Sequence, residues 1–224
     1  MKEQRVEAVE RALSIIECFS AEERELTLTE ISEMTGLYMS TILRLCGSLE
    51  RYGYIVRRPT GQFRVGPSLW RLGSLYSRGF EQAEIIRPRL REVVEKTKET
   101  ATFYVREGDD RVCLFREKSP QPLRFDLDEG VRLTMARGAS AHVLRAFSQD
   151  AVPEDEAIRA AGFAISEGER TPNVTAVAVP VLTASGELRG ALGVSGPTFR
   201  FDAALKELAL DALNSAAARL NAQD

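Results

Sequence analysis

The chain has 224 residues, 44% hydrophobic and 28% charged, the balance of an ordinary globular protein with one large or two small domains. No run approaches the ~20 apolar residues of a membrane span. The opening MKEQRVEAVERAL carries both signs of charge and no apolar centre, unlike a secretory signal. A net charge of −3 speaks against a uniformly basic nucleic-acid binder.

In chain order, Val6, Val9, Leu13, Ile16 and Phe19 recur at spacings of three and four and predict one apolar face of a first helix. A charged turn, AEERE, follows. Thr27 with Glu30 three residues on reads as a capping box, which starts a short second helix with Ile31 and Met34 inward and Gly36 as its stop. A third helix carries Ile42, Leu45, Cys46 and Leu49 inward, and Gly53 ends it. YIVRRPTGQFRVG then predicts a hairpin around Pro59, Thr60 and Gly61. Pro67 opens a further helix with Leu69, Trp70, Leu72, Leu75 and Tyr76, more apolar surface than it can bury alone. The next helix is expected over 81–97, with Ala83, Ile86, Leu90 and Val93 inward. Beyond Glu99 the period changes to two: TFYVRE and RVCLFREK flank Gly108-Asp109-Asp110, a hairpin signal. Helices are expected over 140–147 and 154–161, and VTAVAVPVL and LRGALGVSG read as two strands around Ala184-Ser185-Gly186. A final helix is expected over 203–220, apolar at Leu205, Leu208, Leu213 and Leu220. Mixed strands and helices predict an α+β domain with an antiparallel sheet.

Charge is unevenly spread. Between Leu37 and Gly73 stand Arg44, Arg51, Arg57, Arg58, Arg64 and Arg71 against Glu50 alone, a surplus of five. From Met1 to Gly36, four basic residues face nine acids, a deficit of five. The basic stretch coincides with the third helix and the hairpin. Opposite its apolar face the third helix offers Ser40, Thr41, Arg44, Gly47, Ser48 and Arg51, a surface of small polar and basic groups suited to a major groove. Arg44 suits a guanine edge or a phosphate. Arg57, Arg58, Gln62 and Arg64 put donors on the hairpin. The plainer alternative is a helical bundle with a solvated basic face. Helix order, cap and hairpin all favour a winged helix-turn-helix that binds double-stranded DNA.

Chemistry is sparse elsewhere. Cys18, Cys46 and Cys113 form no CxxC pair, and His142 is the single imidazole. Buried reduced thiols in a cytoplasmic protein are expected, with no metal and no cofactor. No GxSxG, GxGxxG or phosphate-loop pattern occurs, so no enzyme is expected.

VEAVERALSIIECFS, then LTLTEISEMTGLYMSTILRLCGSLERYGYIVRR, resembles the N-terminal domain of IclR-family regulators, and FAISEGERTPNVTAVAVPVLTASGELRGALGVSGP resembles the end of that family's effector domain. The resemblance covers nearly the whole chain. It implies a winged helix-turn-helix over 1–66, a linker helix over 67–81 and a GAF-like effector-binding domain over 82–224. It implies a transcription regulator whose grip on an operator answers to a small-molecule effector, as homodimers that pair into tetramers. Many relatives begin the recognition helix with Pro-Lys, where this chain has Tyr38-Met39. The lost Lys removes a phosphate contact, and Met39 either touches a thymine methyl or packs inside. By the same resemblance the effector pocket opens at Gly138, Ala139 and Ser140, where a helix N-terminus suits a carboxylate. Ser166, Ala176, Gly193 and Ser195 match other contact positions, with Ser166 expected on a facing loop. Ala176 and Gly193 lack polar side chains, so the pocket reads as more apolar, suited to a larger or aromatic acid rather than glyoxylate. His142 reads as a packing or surface residue, and Arg137 as solvated. Leu69, Trp70, Leu72 and Leu75 are the expected oligomerisation surface. The alternatives are a DNA-binding regulator with no ligand and a ligand-binding protein that has lost DNA binding.

Overall fold

The computed structural model describes residues 5–20, 23–79, 82–149 and 151–222. The expected start of a helix at residue 81 and part of the AEERE turn lie outside them. The chain divides into two compact units, Met1–Phe80 and Glu81–Asp224.

In the first unit, helices α1 (Glu7–Ile16), α2 (Leu28–Thr35) and α3 (Met39–Arg51) precede a three-stranded sheet and a fourth helix, α4 (Pro67–Gly79). The capping box at α2 is formed: the Glu30 amide donates to Thr27 Oγ1 at 3.2 Å and the Thr27 amide donates to Glu30 Oε2 at 2.6 Å. Gly36 ends α2 at φ 69°, a left-handed conformation in which its N–H still reaches Ser32 O. Strands β2 (Ile55–Arg57) and β3 (Phe63–Val65) form the expected hairpin, closed by the Gly61 amide on Arg58 O at 2.9 Å. The AEERE segment contributes more than a turn. Strand β1 (Glu25–Leu26) pairs with β3, Glu25 opposite Arg64 and Leu26 opposite Phe63.

One core cluster joins these elements: Ile15, Cys18, Leu26, Ile31, Ile42, Cys46, Leu49, Ile55 and Phe63 are all buried. Removing each of its isoleucines, leucines and Phe63 from water is worth about 1.5–3 kcal/mol. Two expectations about inward faces fail. Met34 is 50% exposed, because α2 meets α1 and α3 along the Ile31 side only. Val6, Val9 and Leu13 are exposed, while Ile15, Ala12, Ile16 and Phe19 meet the core. The apolar arc of α1 is wider than the three-helix core can cover. α4 is tied back to the end of α3, with Ser68 Oγ donating to Tyr52 O at 2.6 Å and the Ser68 amide donating to Gly53 O at 3.0 Å. Gly66 makes this joint: a Cβ there would lie 2.2 Å from Gly53 O.

The second unit is built on one six-stranded antiparallel sheet, with the Gly108 turn joining its first two strands. These are β4 (Thr100–Glu107) and β5 (Asp110–Glu117), followed by β6 (Arg132–Thr134), β7 (Ala164–Glu167), β8 (Val174–Leu182) and β9 (Leu188–Pro197). Their order is β6-β5-β4-β9-β8-β7. The edge strands β6 and β7 went unread in the sequence. Helices α5 (Gln82–Thr97) and α8 (Ala203–Asn221) pack on each other and on the sheet. Ala209, Ala212, Leu213, Ala216, Ala217 and Leu220 of α8 are buried, whereas Leu208 faces outward. Helix α6 (Ala139–Ala146) packs on β8, β9 and β7, with α7 (Glu156–Ala161) beside it. Its Val143 and Leu144 join Tyr104, Cys113, Ala178 and Ala191 in a second core. All three cysteines are free and buried, and burial pushes the Cys46 thiol up to about 11 and the Cys113 thiol up to about 12.

Candidate functional site

Two surfaces collect the residues that carry chemistry. The first is the outer side of α3 with the β2–β3 hairpin. Ile42, Cys46 and Leu49 anchor α3 in the core, and this fixes which residues look outward. Tyr38 is 84% exposed and Met39 45%, so Met39 stands at the surface. Ser40, Arg44 and Ser48 are exposed and Thr41 is half-buried. Arg44 and Arg64 have no carboxylate partner among the described residues. On the hairpin, the Arg57 guanidinium stacks over the Phe63 ring at 5.4 Å. The side chain of Gln62 accepts a hydrogen bond from Thr60 at 3.2 Å. Among the described residues, Arg58 is the one hairpin arginine with an acid at hand, Glu25 at 3.2 Å. The same strand β1 that escaped the sequence reading supplies that acid.

The second surface is a narrow cleft in the second unit, of about 50 Å³, between the sheet and the N-terminus of α6. All seven residues expected at an effector pocket line it: Gly138, Ala139, Ser140, Ser166, Ala176, Gly193 and Ser195. Register explains why they meet. Ala176 of β8 stands between Ser166 of β7 and Ser195 of β9, and Gly193 stands between Ala178 of β8 and Thr102 of β4. Small residues on neighbouring rungs leave the floor open. Ser166 lies on strand β7 and not on a loop.

The helix end differs from expectation. Gly138 sits at φ 101°, which only glycine adopts without strain, and caps α6 with no side chain of its own. Its amide donates to Glu169 Oε2 at 2.9 Å, and the Ala139 amide donates to Ser166 Oγ at 3.0 Å. The backbone donors reserved in the sequence reading for an effector carboxylate thus already hold an acid and a hydroxyl of the chain itself. His142 is neither a plain packing nor a plain surface residue, since its Nε2 lies 2.7 Å from Glu169 Oε2. Arg137 is exposed, 3.5 Å from Glu169 O. Burial pushes the Glu169 carboxyl up, but the Gly138 amide, His142 and the charge of Arg137 outweigh it and hold the group below its ordinary range.

The cleft is also less apolar than expected. Arg111, Glu169 and Arg170 line it, with Thr102, Tyr104 and Phe125. In DDRV and EGER these charges look like solvated surface. The only signal for Arg111 is that it shares a face with Cys113 on β5, a strand that also carries Asp110, Arg116 and Glu117. Arg111 is 2% exposed, its guanidinium over the Tyr104 ring at 5.6 Å. Burial pulls its pKa down, Tyr104 opposes this, and the charge of Arg170 adds to the fall. Arg170 stands at the rim, over the Phe125 ring at 4.6 Å.

A three-helix core with a hairpin wing and a free basic face defines a DNA-binding transcription regulator, here joined to an α+β unit with a polar cleft. Family models agree at both ends: the IclR helix-turn-helix domain matches residues 8–59, and the C-terminal domain of bacterial IclR transcriptional regulators matches residues 152–222. The chain belongs to the IclR family of transcription regulators, whose members are regulators and not enzymes. It is 29% identical to the HTH-type transcriptional regulator BhcR of Paracoccus denitrificans, covering 96% of this chain and 86% of that one. It is 27% identical to XynR of Escherichia coli, over 88% of each. Among solved structures, the IclR regulator of Alicyclobacillus acidocaldarius superposes with a TM-score of 0.80 at 23% identity, covering 97% of this chain and 98% of that one. An IclR homologue from Microbacterium hydrocarbonoxydans, complexed with 4-hydroxybenzoate, superposes at 0.76 with 20% identity, covering 96% of this chain and all of that one (100%).

Proposed function

We propose that this regulator holds its operator as a homodimer in the cytoplasm, dimers pairing further on DNA, and that a small organic acid bound in the cleft of the second unit shifts that grip. The observation that carries the reading is the convergence of the seven expected residues around one cleft bordered by two arginines. The 4-hydroxybenzoate bound to a homologue of the same fold supports an acid as the ligand class. In this reading 1–66 reads the DNA, 67–81 links, and 82–224 senses. Tyr38, Met39, Ser40, Thr41, Arg44 and Ser48 face the groove, and Arg57, Arg58, Gln62 and Arg64 reach the backbone or the minor groove. Leu69, Trp70, Leu72 and Leu75 meet a second copy. An effector shifts DNA affinity only by binding two conformations unequally.

The test is a fluorescence-anisotropy titration of the upstream intergenic DNA with and without 4-hydroxybenzoate, benzoate and short aliphatic acids. A shift in DNA affinity with one of them is expected. Ala176→Phe should abolish it by filling the half-buried floor of the cleft. Ala139→Trp is a poorer blocker, since Ala139 is 1% exposed and a larger side chain there overpacks α6. A second reading, a regulator without a ligand, draws on the helix end that Glu169 and Ser166 already satisfy and on the small size of the cleft, room for a few water-sized groups. Unchanged DNA affinity across the whole panel favours it.

A further inference from the structure

Arg111 is the largest fully buried side chain among the described residues. Three other buried or half-buried arginines of the same unit have acids. Arg145 pairs with Asp155, Arg200 with Glu99, and Arg116 with Asp126. Arg111 has none among the described residues. One terminal nitrogen donates to Thr134 O, and Nε has no partner at all. The other terminal nitrogen passes over Gly138, where a Cβ would lie 3.3 Å from it, so the group stands at the wall of the cleft beside the positive end of α6. A buried cation without a counter-charge is costly, and more so next to a helix N-terminus and a second arginine. A neutral side chain of similar volume would fill the space without that cost.

Glu169 does not relieve this. Its carboxylate is held by the Gly138 amide and His142, and no ion pair joins it to Arg111. The cleft therefore has an internal acid on the helix end and an unanswered cation on the wall.

We propose that Arg111 is the carboxylate-binding residue of this cleft, taking the acid group of a small monocarboxylate while the ligand's remainder lies on the floor of Ala176, Ala178 and Gly193. This rests on the effector reading above and names the group that carries it. It also moves the acid from the helix end, where the sequence put it, to the wall formed by β5. Arg170 at the rim adds attraction, and Glu169 disfavours a second acid group.

The test pairs each acid with its neutral isostere on the full chain: acetate with acetamide, propionate with propionamide, benzoate with benzamide, and inorganic phosphate beside them. Calorimetry should show a carboxylate binding and its amide not. Arg111→Met should weaken that carboxylate roughly 10- to 100-fold, as expected for loss of a charged hydrogen bond. Without ligand, Arg111→Met should melt no lower than wild type, a readout that a merely structural arginine would not give. A lower melting temperature for Arg111→Met, or failure of that variant to fold, overturns the proposal. So do unchanged carboxylate affinity in that variant, binding of phosphate in place of carboxylates, and a wild type that binds no acid of the panel. Binding lost in Ala176→Phe but kept in Arg111→Met sinks the role of Arg111 alone. Binding that survives both sinks the effector cleft with it.

Discussion

Two sets of arginines, one in each unit, are used in opposite ways. In the first unit, Arg44, Arg51 and Arg64 lie exposed on a helix and a hairpin, with no acid partner among the described residues. In the second, Arg145, Arg116 and Arg200 are each matched to a carboxylate, and Arg111 is buried without one. Exposed cations keep their hydration and cost the fold little, so they are free to meet a polyanion and release its counterions. Buried cations are part of the fold, and each requires its acid. The same residue type therefore reports surface recognition in one unit and internal architecture in the other, and an unmatched member of the second group marks the place for a ligand.

The apolar surface of the first unit offers the largest test of this outward-facing design. Leu72 and Leu75 of α4 are 39% and 54% exposed, and Tyr76 beside them 46%. They share an arc with Leu69, whereas Trp70, 81% exposed, stands about 100° off it. Leu72→Glu with Leu75→Glu should give monomers by light scattering. Operator affinity should fall by at least about 100-fold, because two half-sites no longer bind as one. A wild type that is already monomeric at micromolar concentration removes the basis of this prediction.

Next in size is the inward-facing group. Asp155 is fully buried and takes both Arg145 Nε at 2.9 Å and Nη2 at 2.7 Å, as well as the Val152 amide at 3.1 Å. Asp155→Ala leaves Arg145 unmatched. It should cost about 2–3 kcal/mol, below the full range for a buried pair because Arg145 is partly exposed. Chemical denaturation reads this directly, and a cost under ~0.5 kcal/mol would place Arg145 with the free surface arginines.

Arg44→Ala should behave in the opposite sense. Stability should stay within about 0.5 kcal/mol of wild type. Operator affinity should fall by ~1–3 kcal/mol, with relaxed preference at one base pair. Arg58→Ala should do less, since Glu25 already competes for that guanidinium. Its loss should be similar on all sequences and should flatten the salt dependence. Equal binding by both variants breaks the assignment of α3 and the hairpin to DNA.

What was legible in the sequence follows the range of the interactions. The α2 cap, the Gly36 stop and the hairpin turn are local, each set by residues within four positions, and all are formed. Strand β1 has two residues and exists only through pairing with β3, nearly forty positions away, so nothing local announces it. The edge strands β6 and β7 are similar cases. The floor of the cleft was readable because a resemblance fixed its positions. Its charged wall was not, because Arg111 and Glu169 come together only when β5, α6 and the segment after β7 assemble. Helices cover both faces of the sheet, so β5 is buried along nearly its whole length and the simple alternation that flags an inward arginine is diluted.

The smallest expected effect is one of pH. Glu169 sits on the N-terminus of α6 with the Gly138 amide, His142 and Arg137 around it, and its folded pKa lies below its ordinary value of 4.5. A depressed carboxyl stabilises the fold above its unfolded pKa, and that contribution disappears as pH falls through the folded value. Glu169 is about one-third exposed, so solvent screens the interaction and the contribution should stay below about 1 kcal/mol. Glu169→Gln keeps an acceptor for the Gly138 amide and removes the charge. At pH 7 it should melt slightly below wild type, and the gap should close as pH falls below 4.5 and through the lowered folded value. In the first unit Glu30 at the N-terminus of α2 is likewise held below its ordinary value by the Thr27 amide and hydroxyl, so the full chain carrying Glu169→Gln is compared with wild type, a difference in which the Glu30 contribution cancels. A gap that stays constant into acid would mean that Glu169 holds α6 by its hydrogen bonds alone, and that the cleft's own negative charge contributes nothing to its fold.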